Sequence, residues 1–217
     1  MNVPTVKKAS AGSLRTGQGI RRGGHQYQAI HAALADGAAR ELAEVGYGGF
    51  KPEVVAERVG VSPRTAFRHY ETTLDLALAG IRTLPTYKGW LDATHPDESM
   101  ADRLRGGLRT GMDHLELVAY ITATALSYRE HQPELLETLK KHVLAPREKA
   151  IAAYLAEGQR TGVFRKEVTA HALAAADLGL FTMVALGQFR LGQGETRVRR
   201  MFKAYWPLMA TFAHIND

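Results

Sequence analysis

The sequence contains no cysteine, so neither disulfide bonds nor thiolate chemistry can contribute to its fold or function. It also lacks a run of about 18 apolar residues, the length that a transmembrane helix requires. No apolar stretch typical of a secretory signal follows the basic N-terminus. We therefore expect a cytoplasmic protein that does not enter a membrane.

The 217-residue chain has a net charge of +6, and residues 1–35 contain no acidic residue. Five of these net positive charges come from Lys7, Lys8, Arg15, Arg21 and Arg22. Residues 1–24 also have few large apolar groups to bury, which predicts a basic disordered arm. Such an arm either keeps the protein in solution or adds phosphate contacts to a neighbouring DNA-binding module.

Catalytic signatures are missing as well. The sequence contains no zinc-protease HExxH, no serine-hydrolase GxSxG and no phosphate-binding loop. The glycines of residues 17–23 are wrongly spaced for a dinucleotide-binding loop, and no strand precedes them. Asp113, His114 and Glu116 do not share one helix face, which argues against a metal site. We expect neither enzymatic activity nor a cofactor.

Apolar residues recur at helical spacing along most of the chain after residue 25. The first such face is formed by Ile30, Leu34, Ala38, Leu42 and Val45. Gly46 is suited to ending that helix. No segment alternates with a period of two, so we expect no sheet. The pattern predicts an all-α fold with a break near residues 84–90.

The stretch VAERVGVSPRTAFRHY, residues 55–70, ends one helix and begins another within three residues. Gly60 can adopt the left-handed conformation that closes a helix, Ser62 is a favourable N-cap, and Pro63 is tolerated at the first helical position. We predict helices at about 52–59, 63–69 and 73–84. This pattern is typical of a helix-turn-helix, whose second helix enters the DNA major groove. The alternative is an ordinary corner between two helices with solvated arginines, which any all-α protein can contain.

The predicted second helix divides into two faces. Ala66 and Tyr70 lie four residues apart and are expected to face the core, with Arg64, Thr65, Arg68 and His69 facing outward. Arg64 at the N-terminal end can pair with guanine O6 and N7, and the other outward residues are expected to contact phosphates or a thymine methyl.

Residues 26–82 resemble the N-terminal DNA-binding domain of the tetracycline-repressor (TetR) family. The matching segments are ELAEVGY (41–47), VVAERVGVSPRTAFRHY (54–70) and LDLAL (74–78). The residues that fit the family pattern are Ala56, Gly60, Val61, Ser62, Thr65, Phe67, Tyr70, Leu76 and Leu78. The resemblance implies a ligand-responsive DNA-binding regulator.

Three positions depart from that family pattern. Lys51 stands where a phosphate-binding Thr or Ser is usual, Phe67 replaces a tyrosine, and Thr73 replaces a lysine. Two phosphate contacts are thereby weakened, and we expect Arg21 and Arg22 of the arm to compensate for them.

The resemblance also implies the organisation of the chain. We expect a basic arm at residues 1–24, a helix-turn-helix domain at 25–84, and a helical ligand-binding and dimerisation domain at 85–217. Two apolar helices, at about 168–190 and 196–213, are expected to pair with their copies in a homodimer. Asp177 is a lone charge in the first of them, with a dimer contact, a histidine or solvent as its possible surroundings.

Residues 115–128 form a helix that is apolar nearly all round but carries several hydroxyl groups. These groups either bond within their own helix or line a mostly apolar small-molecule pocket. The candidate ligand-binding residues are Tyr87, Trp90, Met112, Tyr120, Thr124, Tyr128 and Phe181.

The sequence therefore favours a transcriptional regulator, a repressor released from a palindromic operator by a small, largely apolar molecule. The mechanical link is expected to be the fourth helix, 73–84. A helix-turn-helix dimer without a small-molecule ligand, regulated by a protein partner or constitutively bound, is the alternative. An architectural DNA-binding protein and a small all-α enzyme are further alternatives.

Overall fold

The computed structural model describes residues 18–85 and 97–190, with the backbone alone at 18–23, 107–113, 115–116, 180–181 and 183–190. Within these residues the chain forms nine α-helices and no strand, which confirms the all-α prediction. The helices are α1 (Gln18–Gly49), α2 (Pro52–Val59), α3 (Pro63–His69), α4 (Thr73–Thr83), α5 (Met100–Asp113), α6 (Leu115–Ser127), α7 (Pro133–Leu139), α8 (Ala145–Thr161) and α9 (Ala170–Arg190). A π-helical segment, Lys140–Leu144, connects α7 to α8.

Helix α1 begins at Gln18, so the disordered arm predicted for residues 1–24 is too long by seven residues. Extending a helix that has already formed adds one hydrogen bond per residue, and it is far easier than starting one. Arg21 and Arg22 are good helix formers, whereas each glycine of this segment costs about 1 kcal/mol relative to alanine. At its other end α1 is interrupted at Gly46, whose φ of 67° and ψ of 176° are not helical, as the sequence predicted.

One hydrophobic core joins the N-terminal helices to α6, α7 and the π-helical segment. Its most deeply buried side chains are Leu34, Leu42, Val55, Leu76, Ile81, Ile121, Leu135 and Leu139. Helix α4 packs against α1 on one side and α7 on the other, so it contacts both halves of the chain. The helix-turn-helix is therefore built into the same core as part of the helical domain.

A second core lies between α5, α8 and α9 and includes Leu104, Ile151, Leu155, Phe164 and Leu173. Gly158 of α8 lies directly beneath the Phe164 ring, where a β-carbon would overlap the ring. The segment that leads to α9 is held by Gln159, whose Nε2 donates to the carbonyl oxygens of Arg165 and Val168, each at 2.6 Å.

Asp177 of α9 is paired with a residue of α8. Its Oδ2 accepts hydrogen bonds from Arg147 Nε at 3.1 Å and Nη2 at 2.9 Å, and both residues are buried. Burial raises the pKa of the Asp177 carboxyl, and the Arg147 guanidinium opposes that rise. Asp177 therefore does not face solvent, and its arginine partner is none of the surroundings that the sequence suggested. The partner lies 30 residues away in the chain, where no local pattern indicates it.

Candidate nucleic-acid interface

The turn between α2 and α3 is closed by backbone bonds at both ends. Gly60 adopts the left-handed conformation (φ 76°, ψ 29°), its N–H donates to the Glu57 carbonyl, and the Val61 N–H donates to the Ala56 carbonyl, both at 3.0 Å. These two bonds form a Schellman motif. Ser62 then caps α3, because its Oγ accepts from the Thr65 N–H at 3.1 Å. The predicted roles of Gly60 and Ser62 are confirmed.

The inner face of α3 carries Ala66 and Tyr70, which are buried as predicted. The Tyr70 hydroxyl donates to the His31 carbonyl of α1 at 2.9 Å, and the two rings stack with centroids 4.4 Å apart. Burial raises the pKa of the Tyr70 hydroxyl to about 12, so this donor keeps its proton at any physiological pH. The bond fixes the C-terminal end of α3 against α1.

The outer face of α3 presents Arg64 and Arg68, which are exposed as predicted, beside Phe67, which is 39% exposed. Thr65 is only half-buried, and its hydroxyl is 2.9 Å from the Ser62 hydroxyl. Two cations and an aromatic ring therefore project from a helix whose other face is anchored. Such a surface can contact phosphates and base edges.

His69 does not lie on this surface, so the prediction that it faces outward is wrong. It is 8% exposed, and its ring stacks on Tyr27 of α1 with centroids 4.1 Å apart. Neither ring nitrogen has a hydrogen-bond partner within the described part of the chain. Burial lowers the pKa of the His69 imidazole, and His31 and Arg68 act in the same direction.

Two further candidates flank the turn. Lys51 is exposed at the N-cap of α2, and its side chain makes no capping bond there. Thr73 is half-buried in the first turn of α4, and the cap of that helix is Thr72. Thr72 and Asp75 form a capping box, with the Asp75 N–H donating to Thr72 Oγ1 at 3.0 Å and the Thr72 N–H to Asp75 Oδ2 at 3.1 Å. The T-x-x-D spacing of residues 72–75 is the signal in the sequence that indicates this box.

Arg58 of α2 forms ion pairs with acidic residues of α1. Arg58 donates to both carboxylate oxygens of Glu44, at 3.0 and 2.6 Å, and lies 3.1 Å from the buried Glu41 carboxylate. The two acids belong to α1, so Arg58 ties α2 to α1. Its charge is thereby balanced within the protein.

Three of the seven candidate ligand-binding residues have described side chains. Thr124 is buried, whereas Tyr120 and Tyr128 are half-buried, and all three lie at four-residue spacing along α6. The Tyr128 ring meets the Tyr47 ring edge-on, with centroids 5.4 Å apart. Tyr128 thus contacts the break in α1 and not only its own domain.

The other four candidates lie wholly or partly outside the described residues. Tyr87 and Trp90 lie outside the described residues. Met112 of α5 and Phe181 of α9 have a described backbone, and their side chains are not described. The second predicted dimer helix, residues 196–213, is also outside the described part. For Arg21 and Arg22, the structure describes the helical backbone alone.

A groove of about 420 Å³ lies on α8 and the first turn of α9. Its lining consists of Ala145, Glu148, Lys149, Ala152, Ala153, Ala156 and His171, none of them a predicted ligand-binding residue. Among the residues that the structure describes, no three potential metal ligands come together. No described helix is long and apolar enough to cross a membrane.

Solved structures with this arrangement of helices identify the fold. A TetR regulator from Chloroflexus aurantiacus superposes with a TM-score of 0.66 at 19% identity, covering 87% of this chain and 96% of its own. A TetR-family regulator from Cytophaga hutchinsonii gives 0.67 at 11% identity, covering 87% and 96%. The fatty acid degradation regulator FadR from Bacillus halodurans gives 0.63 at 16% identity, covering 83% and 94%. The chain has the fold of the TetR-family regulators.

Two comparisons at the level of sequence found no relative. No protein-family model matches the chain, and no curated protein matches it. The turn that is closed at Gly60–Ser62 lies in the N-terminal part of this fold. Residues 26–82, which resemble the TetR DNA-binding domain in sequence, contain all of α2, α3 and most of α4.

Proposed function

We propose that the chain is a dimeric transcriptional regulator that reads a palindromic DNA operator with helix α3. The proposal rests on the two faces of α3: Ala66 and Tyr70 are anchored in the core, and Arg64 and Arg68 project from the opposite side. In a helix-turn-helix, this second helix lies in the major groove with its N-terminal residues at the base edges. The neighbours that share the fold are transcriptional regulators, which supports the same assignment.

Arg64 is the residue that we assign to base reading, because it is exposed in the first turn of α3. A bidentate pair with guanine contributes about 1–3 kcal/mol of discrimination. Arg68, Lys51 and the linked hydroxyls of Ser62 and Thr65 are assigned to phosphates.

Phe67 and Thr73 have lesser assigned roles at the same surface. Phe67 is partly exposed next to the cations of α3 and can make an apolar contact with a thymine methyl. Thr73, half-buried in the first turn of α4, offers a hydroxyl for a phosphate contact. Both contacts are weaker than those of the arginines, which therefore carry most of the proposed binding.

The N-terminal turns of α1 are proposed to supply additional phosphate contacts. Arg21 and Arg22 belong to a helix that continues directly into the helix-turn-helix core, so their position is set by that core rather than by a loose tail. Each phosphate neutralised releases counterions and steepens the salt dependence of binding.

Dimerisation is proposed through α9 and the helix predicted at residues 196–213. Ala172, Ala175, Ala176 and Gly179 are all exposed and share one face of α9 at spacings of three and four residues. Small side chains on one face let two helices approach closely, and two α3 helices about 34–36 Å apart would meet successive major grooves. The operator is accordingly expected to be palindromic.

The regulatory step is proposed to be release of the operator, in the cytoplasm, when a small, largely apolar molecule binds the helical domain. Such a ligand must bind the released state more tightly than the DNA-bound state, and DNA must then weaken the ligand by the same factor. Helix α4 supports this coupling because it packs against both α1 and α7. The pocket is assigned to the neighbourhood of α6, where Tyr120 and Thr124 lie.

The test is selection of bound sequences from random DNA, carried out with the full chain and repeated with Arg64→Ala. We expect a palindromic motif that loses preference at one position of each half-site in the variant. Arg129→Ala is the matched control, because Arg129 is an exposed arginine of the helical domain, and it should leave the motif unchanged. Absence of any enriched sequence with the parent protein would refute DNA reading.

A second candidate is a helix-turn-helix dimer that takes no small molecule. The groove of about 420 Å³ on α8 and the first turn of α9 has none of Tyr120, Thr124 and Tyr128 in its lining. In that case a protein partner or constitutive binding would replace the effector. A panel of apolar ligands separates the two, since ligand binding to the native state raises its melting temperature and shifts operator affinity.

A further inference from the structure

The glycine-rich break at the end of α1 sets where the helix-turn-helix begins. Gly46 is non-helical with φ 67°, and the chain then turns so that the Phe50 N–H donates to the Tyr47 carbonyl at 3.2 Å. Phe50 is buried, and Pro52 begins α2 two residues later. A displacement of residues 46–49 would therefore carry α2 and α3 with it.

The C-terminal turn of α6 lies against this break. A β-carbon at Gly46 would be 3.4 Å from Thr124 Oγ1, and a β-carbon at Gly48 would overlap the Tyr128 hydroxyl oxygen. The Tyr128 ring also packs edge-on against Tyr47. Thr124 and, one turn later, Tyr128 at the C-cap of α6 thus lie beside alternate residues of the break.

The two glycines are required for different reasons. Gly46 has a positive φ that other residues rarely adopt. Gly48 has no positive φ, so its backbone would accept alanine, and the Tyr128 hydroxyl is what occupies the space of a side chain. The nearest other atom to that space is Tyr128 Cζ at 3.3 Å. The absence of a side chain at residue 48 therefore reflects a contact between the two halves of the chain.

We propose that Tyr128 is a positioning residue for DNA binding: its ring, packed against Tyr47 with the hydroxyl over Gly48, holds the end of α1, and with it α2 and α3, at a fixed place relative to α6. This deepens the proposed function and rests on it. Tyr120, Thr124 and Tyr128 are spaced four residues apart on α6, so a movement of α6 at the level of Tyr120 reaches the break through Tyr128. The route is additional to α4.

The experiment compares the operator affinity of four full-length proteins: the parent, Gly48→Ala, Tyr128→Phe and the double variant. Gly48→Ala should weaken binding by about 10-fold, within the usual range for coupling between sites. Tyr128→Phe alone keeps the ring against Tyr47 and should change the affinity by less than about 3-fold, and the double variant should return to that level. Removal of the hydroxyl takes away the overlapping atom and leaves Tyr128 Cζ 3.3 Å from the new methyl carbon. A shift of a few tenths of an ångström then lets the second substitution repair the first.

Gly24→Ala is the control substitution, because a β-carbon there has nothing within 4 Å. Thermal unfolding is measured on the same proteins. Equal weakening of operator binding in Gly48→Ala and the double variant would overturn the proposal. An unfolded double variant would also overturn it. In either case, removal of the Tyr128 hydroxyl does not relieve the effect of the new methyl group. If Gly48→Ala alone fails to fold, recovery of folding in the double variant supports the contact.

A second readout separates this inference from the proposed function. Amide hydrogen exchange in α2 and α3 needs no DNA, and Gly48→Ala should speed it while Tyr128→Phe in the double variant restores it. If the parent binds no DNA but exchange is restored in the double variant, the regulator assignment fails and the contact stands. If the parent binds its operator and exchange is unaffected by Gly48→Ala, the contact fails and the regulator assignment stands.

Discussion

Replacing His69 with phenylalanine should stabilise the protein, most of all in acid. The imidazole is 8% exposed, stacks on Tyr27, and has two ring nitrogens without a hydrogen-bond partner in the described structure. A buried unsatisfied polar group costs about 1–3 kcal/mol, whereas an apolar group of the same shape avoids that cost. His69→Phe keeps the stacked ring, so we expect a gain of about 1 kcal/mol above neutral pH, or roughly 2–4 °C in melting temperature.

The same substitution should flatten the dependence of stability on pH. Burial holds the pKa of His69 below its ordinary value of about 6.5. As the pH falls below about 6.5, the unfolded state takes up a proton on this residue that the folded state does not, so the parent protein loses stability until the folded pKa is reached. Above that window the histidine is neutral in both states and the loss disappears.

The assay is thermal unfolding followed by far-ultraviolet circular dichroism at about pH 8 and about pH 5.5, on either side of the ordinary histidine pKa. His31→Phe is the control, because His31 belongs to the same stack but is exposed, and it should change stability less. Identical melting temperatures for the parent and His69→Phe at both pH values would refute the reasoning. A large loss of operator affinity with unchanged stability would instead show that His69 contacts DNA.

Three further predictions concern the arm, the dimer and the buried ion pair. Changing both Arg21 and Arg22 to glutamine should lower the slope of log affinity against log salt by about 2, and an unchanged slope in filter-binding titrations removes them from the interface. Ala176→Glu, on the exposed face of α9, should convert the dimer to a monomer in sedimentation; a persisting dimer places the interface elsewhere. Arg147→Ala should cost about 3–5 kcal/mol in chemical denaturation. Arg147→Met combined with Asp177→Leu should recover most of it, so equal losses would contradict a charge-pair origin.

The helix-turn-helix could be located from the sequence because its signals are local. Gly60 needs its left-handed φ, and Ser62 needs only the N–H of a residue three positions later. The predicted helices 52–59 and 63–69 match α2 and α3, and the predicted helix 73–84 is one residue longer than α4. Each of these features is decided within one or two turns of chain.

The misassigned residues depend on contacts between distant helices. The core-facing pair Ala66 and Tyr70 leaves His69 outward in the sequence pattern, but His69 follows Ala66 by three residues and so lies on the inner side of α3. Its ring stacks on Tyr27 of α1, a contact that no local pattern indicates. Asp177 pairs with Arg147 of α8, and Tyr128 contacts Tyr47 at the break in α1. No local pattern predicts which side chain of another helix will lie beside a given residue. The sequence could therefore indicate that these positions matter, but not which residues they contact.

The core shared by the N-terminal helices with α6 and α7 decides which part of the chain can be exchanged with another regulator. A cut near residue 85 separates Leu76 and Ile81 from Ile121 and Leu135, which belong to the same core. A cassette ending there would expose apolar surface in both pieces. The helix-turn-helix is therefore not an independent cassette, and a chimera joined near residue 85 should keep its stability only if the new partner restores the apolar contacts of Ile121 and Leu135.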